Sequence, residues 1–212
     1  MRLRGYLWLF ALALPAVPAP SDESLLYNLK WPAGVTLGRG ELKATQGATH
    51  IEFVLDASLP GVPATGTFLS KVDVKGCTTE FSKKYEIGFR KSSETTTIEA
   101  GKARRETSKG GKSTIDVGEC GRDALAFLRF LRAELAAGRK PASEKILFGA
   151  EYVLTLAYPK SSDPEVDTVK VSVKGPASQN SFEIDFLRDG TRTPVRVRVP
   201  LTMGKFSLEL IR

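Results

Sequence analysis

The sequence predicts a mainly β protein with one α-helix: a curved antiparallel sheet, or a partly closed β-barrel or half-barrel, packed on a single helix near residues 121–138. Three observations carry this expectation. Only one stretch, GRDALAFLRFLRAELAAG, sustains helical spacing. Short segments of alternating apolar and polar residues recur on both sides of it, separated by Gly, Pro, Asn and Asp. Roughly ten such strands would present more apolar surface than one helix can hide, unless the sheet curls on itself.

The helix comes first because the rest must pack on it. Ala124, Phe127, Leu128, Leu131 and Leu135 form one stripe, widened by Leu125 and Phe130. Asp123 is suited to cap the N-terminus, accepting from the orphan amides of the first turn. Gly138 suits the position after the C-terminus, Arg139 and Lys140 suit the negative end of the helix dipole, and Pro141 bars continuation.

Ahead of the sheet, MRLRGYLWLFALALPAVPAP has a basic start at Arg2 and Arg4, an apolar run from Tyr6 to Leu14, and then small residues and prolines. That is the layout of a secretory leader, with cleavage expected between Ala16 and Pro20; a retained N-terminal anchor is the competing reading. The division is residues 1–20 as signal peptide and 21–212 as a single β-rich exported domain, periplasmic or secreted, with no transmembrane span in the mature chain. The formal charge of +7 falls to +5 with the loss of Arg2 and Arg4.

The strands follow in order. Ser24–Trp31 and Val35–Thr45 flank the turn Pro32-Ala33-Gly34. Gly38 and Gly40 inside the second mark a bend or bulge where another backbone comes close; the spacing does not suit a phosphate loop. Gln46-Gly47 turns the chain into His50–Ser58, and Leu59–Thr67, rich in proline and glycine, reads as a loop. Phe68–Val74, Thr79–Lys84, Tyr85–Arg90 and Thr95–Glu99 are short strands. Lys102–Lys112 reads as a basic hairpin turn, and Ser113–Val117 leads into the helix.

Beyond the helix, Lys145–Tyr158 reads as one long apolar strand broken by Gly149. Val166–Val173 sets Val169, Val171 and Val173 on one face against Thr168, Lys170 and Ser172 on the other. Gly175–Asn180 turns into Phe182–Leu187, Asp189-Gly190 is a hairpin signal, and Pro194–Val199 places Arg196 and Arg198 on one face. Met203-Gly204 precedes Lys205–Ile211.

Cys77 and Cys120 read first as a disulfide in an oxidising compartment. A loop of about forty residues closed in this way contributes roughly 4 kcal/mol. The competing reading, a nucleophilic thiolate at Cys120 ahead of the helix, has no base beside it, because His50 is the only histidine. One histidine and two cysteines do not make a zinc set, and no cofactor motif is present. Glu183 and Asp185 lie two apart on one strand face, the spacing an acid–base pair could use, but no nucleophile sits near them in the sequence. No catalytic residue is assigned and the chain is not read as an enzyme. The basic residues lack the clustering and aromatic interleaving of a nucleic-acid binder.

The opening LLYNLKW-x5-GRGEL, the helix DALAFLRFLR and above all the closing FEIDFLRDGTRTPVRVRVPLTMGKFSLELIR resemble an exported bacterial family known as domain of unknown function 3108 (DUF3108). The resemblance covers most of the mature chain, and its motifs are strands, turns and one helix. It implies a β-rich envelope domain and supplies no catalytic residues; the two cysteines lie outside the family's pattern.

Two non-catalytic functions follow. One is a binding module that holds an apolar or amphipathic envelope ligand, such as a lipid, in the curved sheet. The other is an envelope interaction protein that recruits a protein partner through strand edges or through a basic face at Arg104, Arg105 and Lys109.

Overall fold

The computed structural model describes residues 22–45, 49–59, 62–176, 179–201 and 204–212; the leader, the Gln46-Gly47 turn and part of the turns at 175–180 and 203–204 lie outside them. The strands are Glu23–Lys30 (β1), Thr36–Ala44 (β2), His50–Leu59 (β3), Val62–Val72 (β4), Thr78–Ile87 (β5), Arg90–Glu99 (β6), Lys102–Thr107 (β7) and Lys112–Asp116 (β8). The helix α1 spans Ala124–Ala136, and Ser143–Leu147 (β9), Glu151–Ala157 (β10), Val166–Lys174 (β11), Gln179–Leu187 (β12), Pro194–Leu201 (β13) and Gly204–Leu210 (β14) follow.

These strands form one fourteen-stranded antiparallel sheet in the order β8 to β1, then β14 to β9. Two meanders therefore meet at the seam where Tyr27 faces Leu210 and Leu29 faces Leu208. The edge strands β8 and β9 do not pair with each other, so the sheet curves without closing. The expected curved sheet around one helix is the observed architecture.

The helix connects those edges across the concave face. Asp123 caps it, accepting from Leu125 N at 2.7 Å and Ala126 N at 3.1 Å. At the other end Gly138, with φ +73°, donates to Leu135 O while Arg139 N donates to Glu134 O, the paired bonds of a Schellman motif. Phe127, Leu131 and Leu135 insert among Leu154, Leu156, Val169, Val171, Ile184 and Phe186 of the C-terminal meander. Leu125 and Leu128 pack against the cluster of Tyr27, Leu42 and Ile51 in the other meander. Each fully buried side chain of this kind contributes about 2 kcal/mol.

Four sequence expectations need correction. Leu59–Thr67 is not all loop, since β4 starts at Val62 and contains Pro63. Gly88 N donates to Pro63 O, so the proline's missing N–H falls at the β5–β6 turn, where no ladder carbonyl needs it. Thr79–Lys84 and Tyr85–Arg90 are in the main one strand, β5. Lys102–Lys112 is not a turn region but mostly β7, which Ala100 and Gly101, both at positive φ, turn back from β6. Lys145–Tyr158 is a hairpin, with Gly149 at φ +82° in the turn between β9 and β10.

The paired glycines of β2 behave as expected. Pairing with β1 shifts register at Leu29/Lys30, a bulge, and a Cβ on Gly38 would lie 2.2 Å from Asp56 O. A Cβ on Gly40 would strike the Phe53 ring at 2.8 Å, so this glycine makes room for that ring inside the sheet.

Candidate functional site

Register divides the concave face into a filled end and an open end. Cross-strand partners share a face, so the inward rows can be followed strand by strand. The row Ile51–Ser70–Phe81 lies under α1; the next row is Phe53–Phe68–Lys83, then Leu55–Gly66–Tyr85, then Ala57–Ala64–Ile87.

The filled end is held by Asp123, which is fully buried. Beyond the two helix amides, its carboxylate accepts from Ser70 Oγ at 2.5 Å and Thr78 Oγ1 at 2.8 Å. Burial pushes this carboxyl above its ordinary range, while the four hydrogen bonds pull it down. The segment just before it bridges the two meanders: Thr78 N donates to Gly121 O, and Leu147 N donates to Arg122 O, both at 2.8 Å. The Cys77–Cys120 disulfide, with Cα atoms 5.0 Å apart, locks the same place. Bonded sulfurs leave no thiolate, so Cys120 is not a nucleophile in this state.

The middle row is capped by the tip of the β9–β10 hairpin. Phe148 lies 6.2 Å from Phe68 and 5.8 Å from Phe81 between ring centroids, with Lys83 Nζ 4.3 Å from the centre of its ring. Lys83 and Arg105 both pair with Glu94, whose side chain is only 6% exposed. Burial pushes the Glu94 carboxyl up, but the Arg105 hydrogen bond and the Lys83 charge outweigh it and hold the group below the usual carboxylate range.

Past that row the large inward-facing side chains are partly wet, while the small Ala57 and Ala64 between them are buried. Tyr85, Ile87 and Val62 are 38%, 44% and 38% exposed, and Val199 across the sheet is 38% exposed. Leu29, Leu55, Val173 and Phe182 are half-buried. At Gly66 the space a side chain would take is filled by the Phe68 ring, 3.1 Å from where a Cβ would sit. This open apolar end is the candidate site. Its signal in the sequence was the alternation of Tyr85 and Ile87, which fixed the face but not the absence of cover.

The convex face carries a second candidate. Opposite Glu183 and Asp185 on β12 stand Arg198 and Arg196 on β13. Arg198 donates to Asp185 through Nη1 at 2.9 Å and Nη2 at 3.0 Å, and to Glu183 through Nε at 3.0 Å; Thr168 Oγ1 adds a bond to Asp185 at 2.8 Å. Arg196 reaches Asp185 and Glu209, and Lys30 pairs with Glu209 at 2.6 Å. The Lys30 hydrogen bond leads in holding Glu209 below the usual carboxylate range. The adjoining groove, about 460 Å³, is lined by four basic and four acidic residues, including Lys160 and Asp163 from the loop above. Each carboxylate of the sequence-predicted pair is thus engaged by arginine, an arrangement that staples strands.

The proposed basic face is not assembled. Arg104 and Arg105 are adjacent on β7, so they point to opposite sides. Arg105 turns inward to Glu94, Arg104 lies exposed on the other side, and Lys109 sits in the following turn. His50 is exposed, its ring 2.9 Å from Thr49 Oγ1. Among the described residues no group of three or more His, Cys, Asp or Glu could hold a metal ion, and no helix is long and apolar enough to cross a membrane.

No family model matches the chain, and no curated protein matches it. The family resemblance drawn from the closing strands therefore rests on sequence pattern alone. Among solved structures, a β-barrel-like protein of domain of unknown function DUF1849 from Brucella abortus matches with a TM-score of 0.61 and 12% identity, over 91% of this chain and 96% of that one. At that identity the likeness shows the fold, a β-barrel-like architecture, and nothing about activity.

Proposed function

We propose that this chain is an exported, non-catalytic binding protein that holds an apolar or amphipathic envelope ligand, such as a lipid, in the open end of its curved sheet. The observation that carries the reading is the set of inward-facing apolar side chains left partly in water, Tyr85, Ile87, Val62 and Val199. Exposed apolar area on a concave surface is costly unless something covers it. Export is supported by the leader-like N-terminus and by the disulfide, which persists in an oxidising compartment. A non-catalytic role is supported by the arginine partners of Glu183 and Asp185. The resemblance to exported family 3108 fits the same compartment.

Native mass spectrometry of the protein purified without detergent, followed by solvent extraction, tests the reading. The expected result is a discrete extra mass released as a lipid or glycolipid. A bare polypeptide mass together with no uptake of a hydrophobic dye overturns it.

A further inference from the structure

The outermost strand β8 carries information that the ligand-binding reading does not use. Lys112–Asp116 pairs only with β7, and four of its five residues are exposed. Its hydrogen-bonding direction is fixed by its neighbours: Val117 N donates to Gly101 O, and Thr107 N donates to Gly111 O. Direction alternates along a strand. Ser113 and Ile115 therefore bond inward to β7, while Lys112, Thr114 and Asp116 turn their N–H and C=O groups outward.

Those three residues are self-complementary. Antiparallel pairing of two β8 strands about Thr114 sets Thr114 opposite its own copy and Lys112 opposite Asp116 at both ends. All three outward residues then find reciprocal backbone partners. Their side chains share a face with Lys102, Arg104 and Glu106 of β7, because Asp116 faces Lys102 and Lys112 faces Glu106 across the β7–β8 pair. Within one chain Lys112 Nζ already lies 2.8 Å from Glu106. Across the two-fold axis the row becomes Glu106, Lys112, Asp116 and Lys102, alternating in sign. A one-step slip in register breaks the alternation and turns the side chains to the wrong face.

From this pattern we infer that β8 is an interface for a second copy of this chain, pairing edge to edge so that two sheets become one. Charged residues on a short edge usually prevent promiscuous pairing. Here the same charges permit one pairing, the symmetric one. The contact is narrow, so the dimer is weak and salt-sensitive. It uses the rim remote in the sheet order from the β1–β14 seam, and it stands independently of what the open end binds.

The test is sedimentation of the full mature chain over a range of concentrations at low salt, with three charge variants. Wild type is expected to show a concentration-dependent monomer–dimer equilibrium that weakens as salt rises. Asp116→Lys places lysine opposite Lys112 and should weaken the dimer about tenfold, as should Lys112→Asp. The double exchange Lys112→Asp with Asp116→Lys restores opposite signs across the interface. Within each chain the introduced aspartate then meets Glu106 and the introduced lysine meets Lys102, so the exchange should recover the dimer in part. Because the residues are exposed, unchanged far-ultraviolet circular dichroism is expected for all three. A chain that stays monomeric at millimolar concentration overturns the inference. So does a dimer indifferent to Asp116→Lys, or a double variant no better than the singles.

Discussion

The two ends of the concave face are built from the same strands and the same alternation, yet one is dry and the other wet. Under α1, Leu131, Leu154, Val169 and Phe186 have no exposed surface, whereas Ile87, facing the same interior, is 44% exposed. The difference lies in cover: α1 crosses between the meanders at one end, Phe148 caps the middle, and no described residue does the same for Tyr85 and Ile87. A single helix of this length cannot hide a fourteen-stranded sheet, and the uncovered remainder is where the proposed ligand would gain cover.

If the filled end is what makes the fold stable, the largest loss should come from unlocking it. Replacing both cysteines, Cys77→Ser with Cys120→Ser, frees a loop with a sequence separation of 43 residues. The expected loss is about 4 kcal/mol in the chain-entropy model, measured by urea unfolding. The reduced wild type should unfold with the double variant. A loss below about 1 kcal/mol would mean that Asp123 with Ser70 and Thr78 holds the two meanders together without the covalent link.

The seam between the meanders offers a smaller, pH-dependent test. Lys30 on β1 pairs with Glu209 on β14, and the folded state holds Glu209 below its ordinary value. For a carboxylate depressed in this way, the stabilisation is present above the unfolded value near 4.5 and is lost as pH falls through the folded value. Both side chains are about one-third exposed, so the effect is at most about 1 kcal/mol. Urea midpoints followed from pH 7 to pH 3 should fall less steeply for Glu209→Gln than for wild type. Parallel curves would show that the seam relies on its backbone ladder and on the buried Tyr27, whose hydroxyl donates to Pro194 O at 2.8 Å.

What the sequence could reveal follows from how local each signal is. The helix was legible because Asp123, Gly138 and Pro141 mark its limits within a few residues of its stripe. The disulfide was legible because two cysteines allow one pairing. Strand count was not: the Phe148-Gly149-Ala150 turn lacks polar residues, so β9 and β10 read as one strand, and Pro63 hid the start of β4. The partners of Asp123 were beyond reach, because Ser70 and Thr78 are 53 and 45 residues away and look like ordinary strand residues. Adjacent arginines at 104 and 105 make a patch only in a turn; as a strand, the segment divides them between faces.

The open end should respond in the opposite way to the filled one. Tyr85→Ser with Ile87→Ser removes two large apolar side chains that are 38% and 44% exposed, so each gives up only partial burial and the stability loss should be about 1 kcal/mol per site. At the filled end a single Leu131→Ala, from a side chain with no exposed surface, should cost about 3 kcal/mol. Dye uptake and extractable lipid should reverse that ranking: Leu131→Ala keeps them while still folded, and the Tyr85/Ile87 pair loses most of both. If the pair instead destabilised the protein as much as Leu131→Ala does, those side chains would be part of the packed interior, and the division of the concave face into a structural end and a binding end would fail.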